Sequence, residues 1–189
     1  MENSTTHVAL DDSKRKIVAG ILRPGATEPE LRELPNDPHH IRRLFERLKR
    51  EGPVVACYEA GVSGYDLYRQ IGALGVSCQV IAPALTPRRP GQRVKTDRRD
   101  AAKQVRLFRA GELTPIRVPD EAEEAVRDLV RCRDDVRGDV VRWRHRLLKL
   151  LARHGRVYHA GKNWSQRHWT WIRAQGFAHP ALADRKSVV

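Results

Sequence analysis

The chain has 189 residues, 40% of them hydrophobic and 31% charged, with a formal net charge of +13. That length suits one full domain with an appendage, or two small domains, in a soluble globular protein. No apolar run approaches the roughly 20 residues needed to span a bilayer, and Met1–Thr6 lacks the basic start and apolar core of a secretory signal, which excludes a membrane partner. The cysteines Cys57, Cys78 and Cys132 form neither a C-x-x-C pair nor an even disulfide framework. Cys57 and Cys78 fall inside apolar strand-like runs and are expected as buried free thiols in a reducing cytoplasm.

In chain order, Val8–Leu10 and Ile17–Leu22 are short apolar runs joined by a polar connection, the pattern of a β-hairpin. A third extended piece is expected at Glu30–Leu34. Asn36-Asp37-Pro38 signals a helix start, and Ile41, Leu44, Phe45 and Leu48 follow at helical spacing until Gly52-Pro53 ends the run. Val54–Tyr58 reads as a buried strand, Gly64–Leu74 as a helix and Val76–Ala82 as another strand. Three strands followed by strand–helix alternation is the order of a ribonuclease H-like α/β domain, a mixed sheet with flanking helices. In such a sheet the end of the fourth strand brings Glu59 beside Asp11 on the central first strand.

Pro83–Thr96 is rich in proline and basic residues and without periodicity, and reads as a loop able to order over a phosphate backbone. Asp97–Glu112 follows as a helix with Ala101, Ala102, Val105, Leu107 and Phe108 on its apolar side. Beyond Pro115–Pro119, apolar or half-polar positions recur at Ala125, Leu129, Cys132, Val136, Val140, Trp143, Leu147, Leu150, His154 and Val157. That is a heptad pattern with one stutter, expected for a coiled-coil helix of about 35–40 residues paired with another helix. Gly161–Phe177, with Trp164, Trp169, Trp171, Ile172 and Phe177 among basic residues, is expected to fold back over that coil, although such tryptophans also suit stacking on bases.

Four carboxylates stand out. Asp11 and Glu59 end strand-like runs, and Asp97 and Asp100 lie three apart on one face of a first helical turn. Acids gathered from distant parts of a chain repel one another unless a cation shares their site, and Mg²⁺ or Mn²⁺ is the usual occupant of an all-oxygen cluster. Two plainer alternatives stand beside that reading: unrelated surface acids, and the ordinary preference of a helix N-terminus for negative charge. Asp12 adjoins Asp11, but successive strand residues face opposite sides, so one of the two should enter a site.

Charge is unevenly placed. Residues 1–83 hold 11 Lys/Arg and 11 Asp/Glu, whereas residues 84–189 hold 25 Lys/Arg and 12 Asp/Glu. A neutral first half followed by an arginine-rich second half argues for a polyanionic partner, nucleic acid above all. Candidate phosphate contacts are Arg88, Arg89, Arg93 and Lys95 in the basic loop, Arg98 and Arg99 between the two helix acids, and Lys14 in the hairpin turn. For Lys14 a solvated turn, and for Arg98 and Arg99 salt bridging to neighbouring acids, are the competing roles. Gly61-Val-Ser63-Gly64 falls short of a hydrolase elbow because Tyr65 stands where that motif requires glycine.

Leu10-Asp11-x-Ser13-Lys14, Tyr58-Glu59-Ala60-Gly61-x-x-Gly64-Tyr65-x-Leu67-Tyr68-Arg69 and Lys95-Thr96-Asp97-Arg98-Arg99-Asp100-Ala101 together resemble the DEDD-type transposases of insertion-sequence family 110. The likeness extends over residues 7–175. It implies a RuvC-like domain of ribonuclease H fold over residues 5–114, a long coiled-coil helix over 120–159 and a basic, Trp-rich helical segment over 160–182. It further implies that Asp11, Glu59, Asp97 and Asp100 hold catalytic Mg²⁺ (or Mn²⁺) for DNA strand cleavage and exchange. The implied partners are DNA, a structured guide RNA and further copies of the chain through the coiled coil. Family members continue into a domain with a serine nucleophile. Residues 183–189 do not resemble that continuation and read as a truncation tail, so the chain is expected to bind nucleic acid and metal without completing recombination alone. An inactive nucleic-acid-binding and oligomerisation fragment, and a RuvC-like junction nuclease, are the competing functions.

Overall fold

The computed structural model describes residues 4–61, 63–87 and 97–187, the side chains of 185–187 excepted. The chain divides into two compact units, Met1–Val118 and Pro119–Val189.

The first unit is built on a five-stranded sheet in the order β3-β2-β1-β4-β5. Strands β1 (Thr6–Asp12) and β2 (Lys16–Leu22) form the expected antiparallel hairpin, and β3 (Glu30–Pro35) pairs antiparallel with β2. Strands β4 (Val54–Glu59) and β5 (Ser77–Ile81) run parallel to β1, so the sheet is mixed. Thr114–Ile116 lies along the outer edge of β5: Ala82 N–H donates to the Thr114 carbonyl at 3.0 Å and Ile116 N–H to that of Val80 at 2.8 Å. This covers backbone that a bare edge strand would leave open to another chain.

Helix α1 (Pro38–Glu51) starts where its sequence dictates. Pro38 supplies the fixed φ of a first turn, and the Asp37 side chain accepts the His40 amide at 2.9 Å. Ile41, Leu44, Phe45 and Leu48 are buried, as their spacing required. They form one core with Leu67 and Ile71 of α2 (Asp66–Ala73) and with Val8, Leu10, Ile17, Ala19, Ile21, Ala56 and Tyr58 of the sheet. The alternate strand residues Ala9, Leu22 and Cys57 join a second core with Val105 of α3 (Asp97–Ala110). The sheet is therefore packed on both faces, α1 and α2 on one side and α3 on the other, which explains why β2 is buried along nearly its whole length. The buried face of α3 differs from its expected one: Ala101, Gln104 and Val105 are buried, and Ala102 is half-exposed.

Cys57 is fully buried, and burial pushes its thiol far above the ordinary range; burial likewise pushes the half-buried Cys78 up to about 12. Cys132 is exposed.

The second unit is dominated by α4 (Glu121–Arg153), 33 residues and so about 50 Å long. It opens on a capping box in which Asp120 accepts the Glu123 amide and Glu123 reaches back to the Asp120 amide. It is shorter than the 120–159 expected from the apolar ridge. Gly155 takes φ 69°, its N–H donates to the Ala152 carbonyl and the Arg156 N–H to that of Leu151, a Schellman stop that outweighs the apolar pattern beyond it. Short helices α5 (Gln166–Ala174) and α6 (Pro180–Ser187) follow, so residues 183–187 continue a helix. The expected fold-back is present. Leu147, Leu151 and Ile172 are buried together under Trp164, Trp169, Trp171 and Phe177. Ahead of this cluster the ridge is open: Leu129 is 70%, Val136 56% and Val140 42% exposed. Among the described residues no helix is long and apolar enough to cross a membrane.

Candidate active site

Register decides which of the two adjacent aspartates can meet Glu59. β1 and β4 are parallel with Leu10 opposite Tyr58, so the next step along the ladder sets Asp11 beside Glu59. Alternation sends His7, Ala9 and Asp11 to the α3 side of the sheet, in line with the His7–Phe108 ring contact and the Ala9–Val105 core. Cys57 and Glu59 take the same side on β4. Asp12 takes the other side, where the Asn36 side chain donates to its Oδ1 at 2.7 Å. Glu59 Oε1 in turn accepts from Thr86 Oγ1 at 3.0 Å, just past a 3-10 turn at Pro83–Leu85 that occupies the start of the expected loop.

The other two acids arrive on α3, and a glycine lets them come close. A Cβ on Gly20 would stand 2.5 Å from the Ala101 carbonyl oxygen, so β2 admits the first turns of α3 only because residue 20 has no side chain. Asp97 and Asp100 are thereby held on the face that carries Asp11 and Glu59. Asp97 is exposed and its Oδ2 lies 3.1 Å from Lys16 Nζ, which also sits 3.5 Å from Glu33. The hydrogen bond to Asp97 and the charge of Glu33 raise the Lys16 pKa. Asp100 is half-buried, and its Oδ2 is buried with no hydrogen-bond partner among the described residues.

The four acids thus share one side of one sheet, yet among the described residues no three His, Cys, Asp or Glu side chains are close enough to hold a metal ion. A cation that does meet one of these acids is the Lys16 ammonium, on Asp97. Sequence reasoning missed it, although the same alternation that buries Ile17 against α1 sends Lys16 toward α3. Thr86 was also missed as a partner of Glu59.

The phosphate candidates are dispersed. Arg98 and Arg99 are exposed on the first turn of α3. Lys14 lines a cleft of about 350 Å³ with Asp12, Asn36, Ser63, Asp66, Leu67 and Gln70, on the Asp12 side of the sheet. Arg88, Arg89, Arg93 and Lys95 lie outside the described residues. Directly before them, the Lys103 ammonium donates to the Pro87 carbonyl.

Residues 8–155 match the family model for the DEDD transposase of insertion sequences of the IS110 type. The chain is 47% identical over 142 residues to a Sinorhizobium fredii protein named as a transposase, an alignment that covers 75% of this chain and 36% of that protein. It is 35% identical over 182 residues to the transposase for insertion sequence element IS1533 of Leptospira borgpetersenii, covering 94% of this chain and 53% of that protein. The chain therefore spans about half or less of the length of these relatives.

Proposed function

The chain belongs to the DEDD transposase family of the IS110 type, and we propose that it forms the N-terminal catalytic part of a transposase, a ribonuclease H-like unit that binds DNA and cuts it with a divalent cation. What carries this reading is the common face of Asp11 and Glu59 on neighbouring parallel strands, with Asp97 and Asp100 delivered to that face by α3.

The donors suit a hard cation. They are carboxylates without thiol or imidazole, and the unpartnered Asp100 Oδ2 is an oxygen that a bound ion would satisfy. Asp11, Glu59, Asp97 and Asp100 would hold Mg²⁺ or Mn²⁺, which stabilises charge on a phosphodiester under in-line displacement. The chain's own residues do the rest. Thr86 fixes the Glu59 carboxylate, Lys16 neutralises Asp97, and Arg98 and Arg99 lie on the same turn, where they suit the phosphate oxygens of a bound strand. Guidance by a structured RNA is proposed on the family resemblance, supported by the basic balance of residues 84–189. Assembly of several copies is proposed from the open apolar ridge of α4.

A Mn²⁺ titration followed by electron paramagnetic resonance, run beside a plasmid-nicking assay, tests this. Asp11→Asn is expected to lose both ion binding and nicking. Asp12→Asn, whose side chain faces Asn36, is expected to keep the ion binding. Equal loss in the two variants would sink the assignment. One observation favours a second reading, a nucleic-acid-binding module without turnover: Lys16 already occupies Asp97. Absent Mn²⁺ binding by the unmodified chain would select it.

A further inference from the structure

The distribution of charge along α4 is lopsided. From Glu121 to Asp139 the helix carries seven Asp/Glu and four Lys/Arg, whereas from Val140 to His179 the chain has nine Lys/Arg and no Asp or Glu. A helix macrodipole favours cations only in the last turn, so it accounts for Arg153 but not for Arg142 or Arg146 two to three turns earlier. Nor are these cations spent internally. Arg142 pairs with Asp139, but Arg146, Lys149 and Arg153 make no ion pair among the described residues and are exposed.

Their spacing is informative. Arg142, Arg146, Lys149 and Arg153 follow steps of 4, 3 and 4, which set them in one stripe rising about 16 Å along the helix. That stripe lies roughly a third of a turn from the apolar ridge through Leu129, Val136 and Val140, with Trp143 at the border between the two. Beside it Trp143 is 43% exposed, with the Arg146 guanidinium 4.8 Å from its ring centre. Arg146, Lys149 and Arg153, unpaired with any acid among the described residues, beside a partly exposed indole that one guanidinium already stacks on, are the chemistry that receives a phosphate backbone and a base.

We infer that the C-terminal third of α4 is a nucleic-acid track, its cations along the phosphates of one strand and Trp143 at its side. This locates a contact for the nucleic-acid partner proposed above, and it stands without the metal site.

The test measures binding of the full chain to two fluorescent probes, a mixed-sequence DNA duplex and an RNA hairpin, without divalent ions, between about 50 and 200 mM salt. The triple variant R146E/K149E/R153E is expected to bind at least one probe about tenfold or more weakly at low salt. Its salt slope should fall by about 2–3, near 0.9 for each duplex phosphate that the variant no longer neutralises. The probe that weakens more identifies the strand type. R127E/R131E/R133E makes the same charge change on the acidic half of the helix and is expected to bind as the parent does. Equal loss in both triples would mean that net charge alone governs binding, and no loss in the first would remove the track; either overturns the inference. Tryptophan fluorescence reports whether the α4–α5 cluster is intact, and R146A/K149A/R153A replaces the reversal variant if it is not. Binding is read without divalent ions, so failure of the metal reading is seen separately, in the Mn²⁺ titration of the parent chain.

Discussion

Gly20 shows how one missing side chain positions a site. Its neighbours on β2, Ala19 and Ile21, carry apolar side chains, yet this position faces the Ala101 carbonyl at a distance no Cβ could share. Gly20→Ala is expected to destabilise the first unit by about 1–3 kcal/mol in urea unfolding, the cost of forcing atoms into a filled core. It should also weaken Mn²⁺ binding, because α3 can relieve the clash only by carrying Asp97 and Asp100 away from the sheet. A stable variant with unchanged Mn²⁺ affinity would show that the helix acids do not depend on this approach. The role of Gly20 was not legible in the sequence, where a glycine within an apolar run reads only as a weak point. By contrast, Asp11 over Asp12 followed from strand alternation alone. Lys16 followed from the same rule, but attention to acids left the cation between them unread.

At the scale of elements, every strand and α-helix described in the first unit was legible from apolar spacing and punctuation, because hydrophobic period and turn residues act locally, whereas the 3-10 turn at Pro83–Leu85 was read as loop. The end of α4 was not, since the ridge continues to Val157 while backbone geometry at Gly155 stops the helix first. The clasp of α5 on α4 adds a chemical dependence of its own. His168 is fully buried, its Nδ1 accepts the Trp164 amide at 2.7 Å, and Trp164 itself holds φ 66°. Burial lowers the His168 pKa below the ordinary 6.5, so the folded unit resists a proton that the unfolded chain accepts. Stability from this residue is complete above about pH 6.5 and declines as pH falls through that value toward the lowered one. All four tryptophans lie between positions 143 and 171, so their fluorescence follows this unit selectively. The urea midpoint read this way should drop between about pH 7.5 and pH 5.5. His168→Gln, which can still accept from Trp164 but cannot titrate, should flatten the drop; an undiminished drop in that variant would assign it elsewhere.

For the whole molecule, charge asymmetry and the apolar ridge of α4 were both plain in the sequence, while the half of the ridge that α5 covers was only expected. Leu147 and Leu150 are buried, whereas Leu129, Val136 and Val140 on the same stripe remain open. An exposed row of that kind is the face a second helix would cover. Sedimentation velocity is expected to show an assembly larger than one chain, and L129E/V136E/V140E should shift it to the monomer with helical content retained. A parent chain that sediments as a monomer at high concentration would refute self-assembly through this ridge.

The contrast among the three thiols has a practical corollary. Cys57 is sealed in the core and Cys78 is held protonated at neutral pH, but Cys132 stands open midway along α4. A maleimide dye should therefore tag the unaltered sequence at a single point, and that point sits on the apolar ridge itself. Changes in its emission would register the arrival of a neighbouring helix without any engineered mutation.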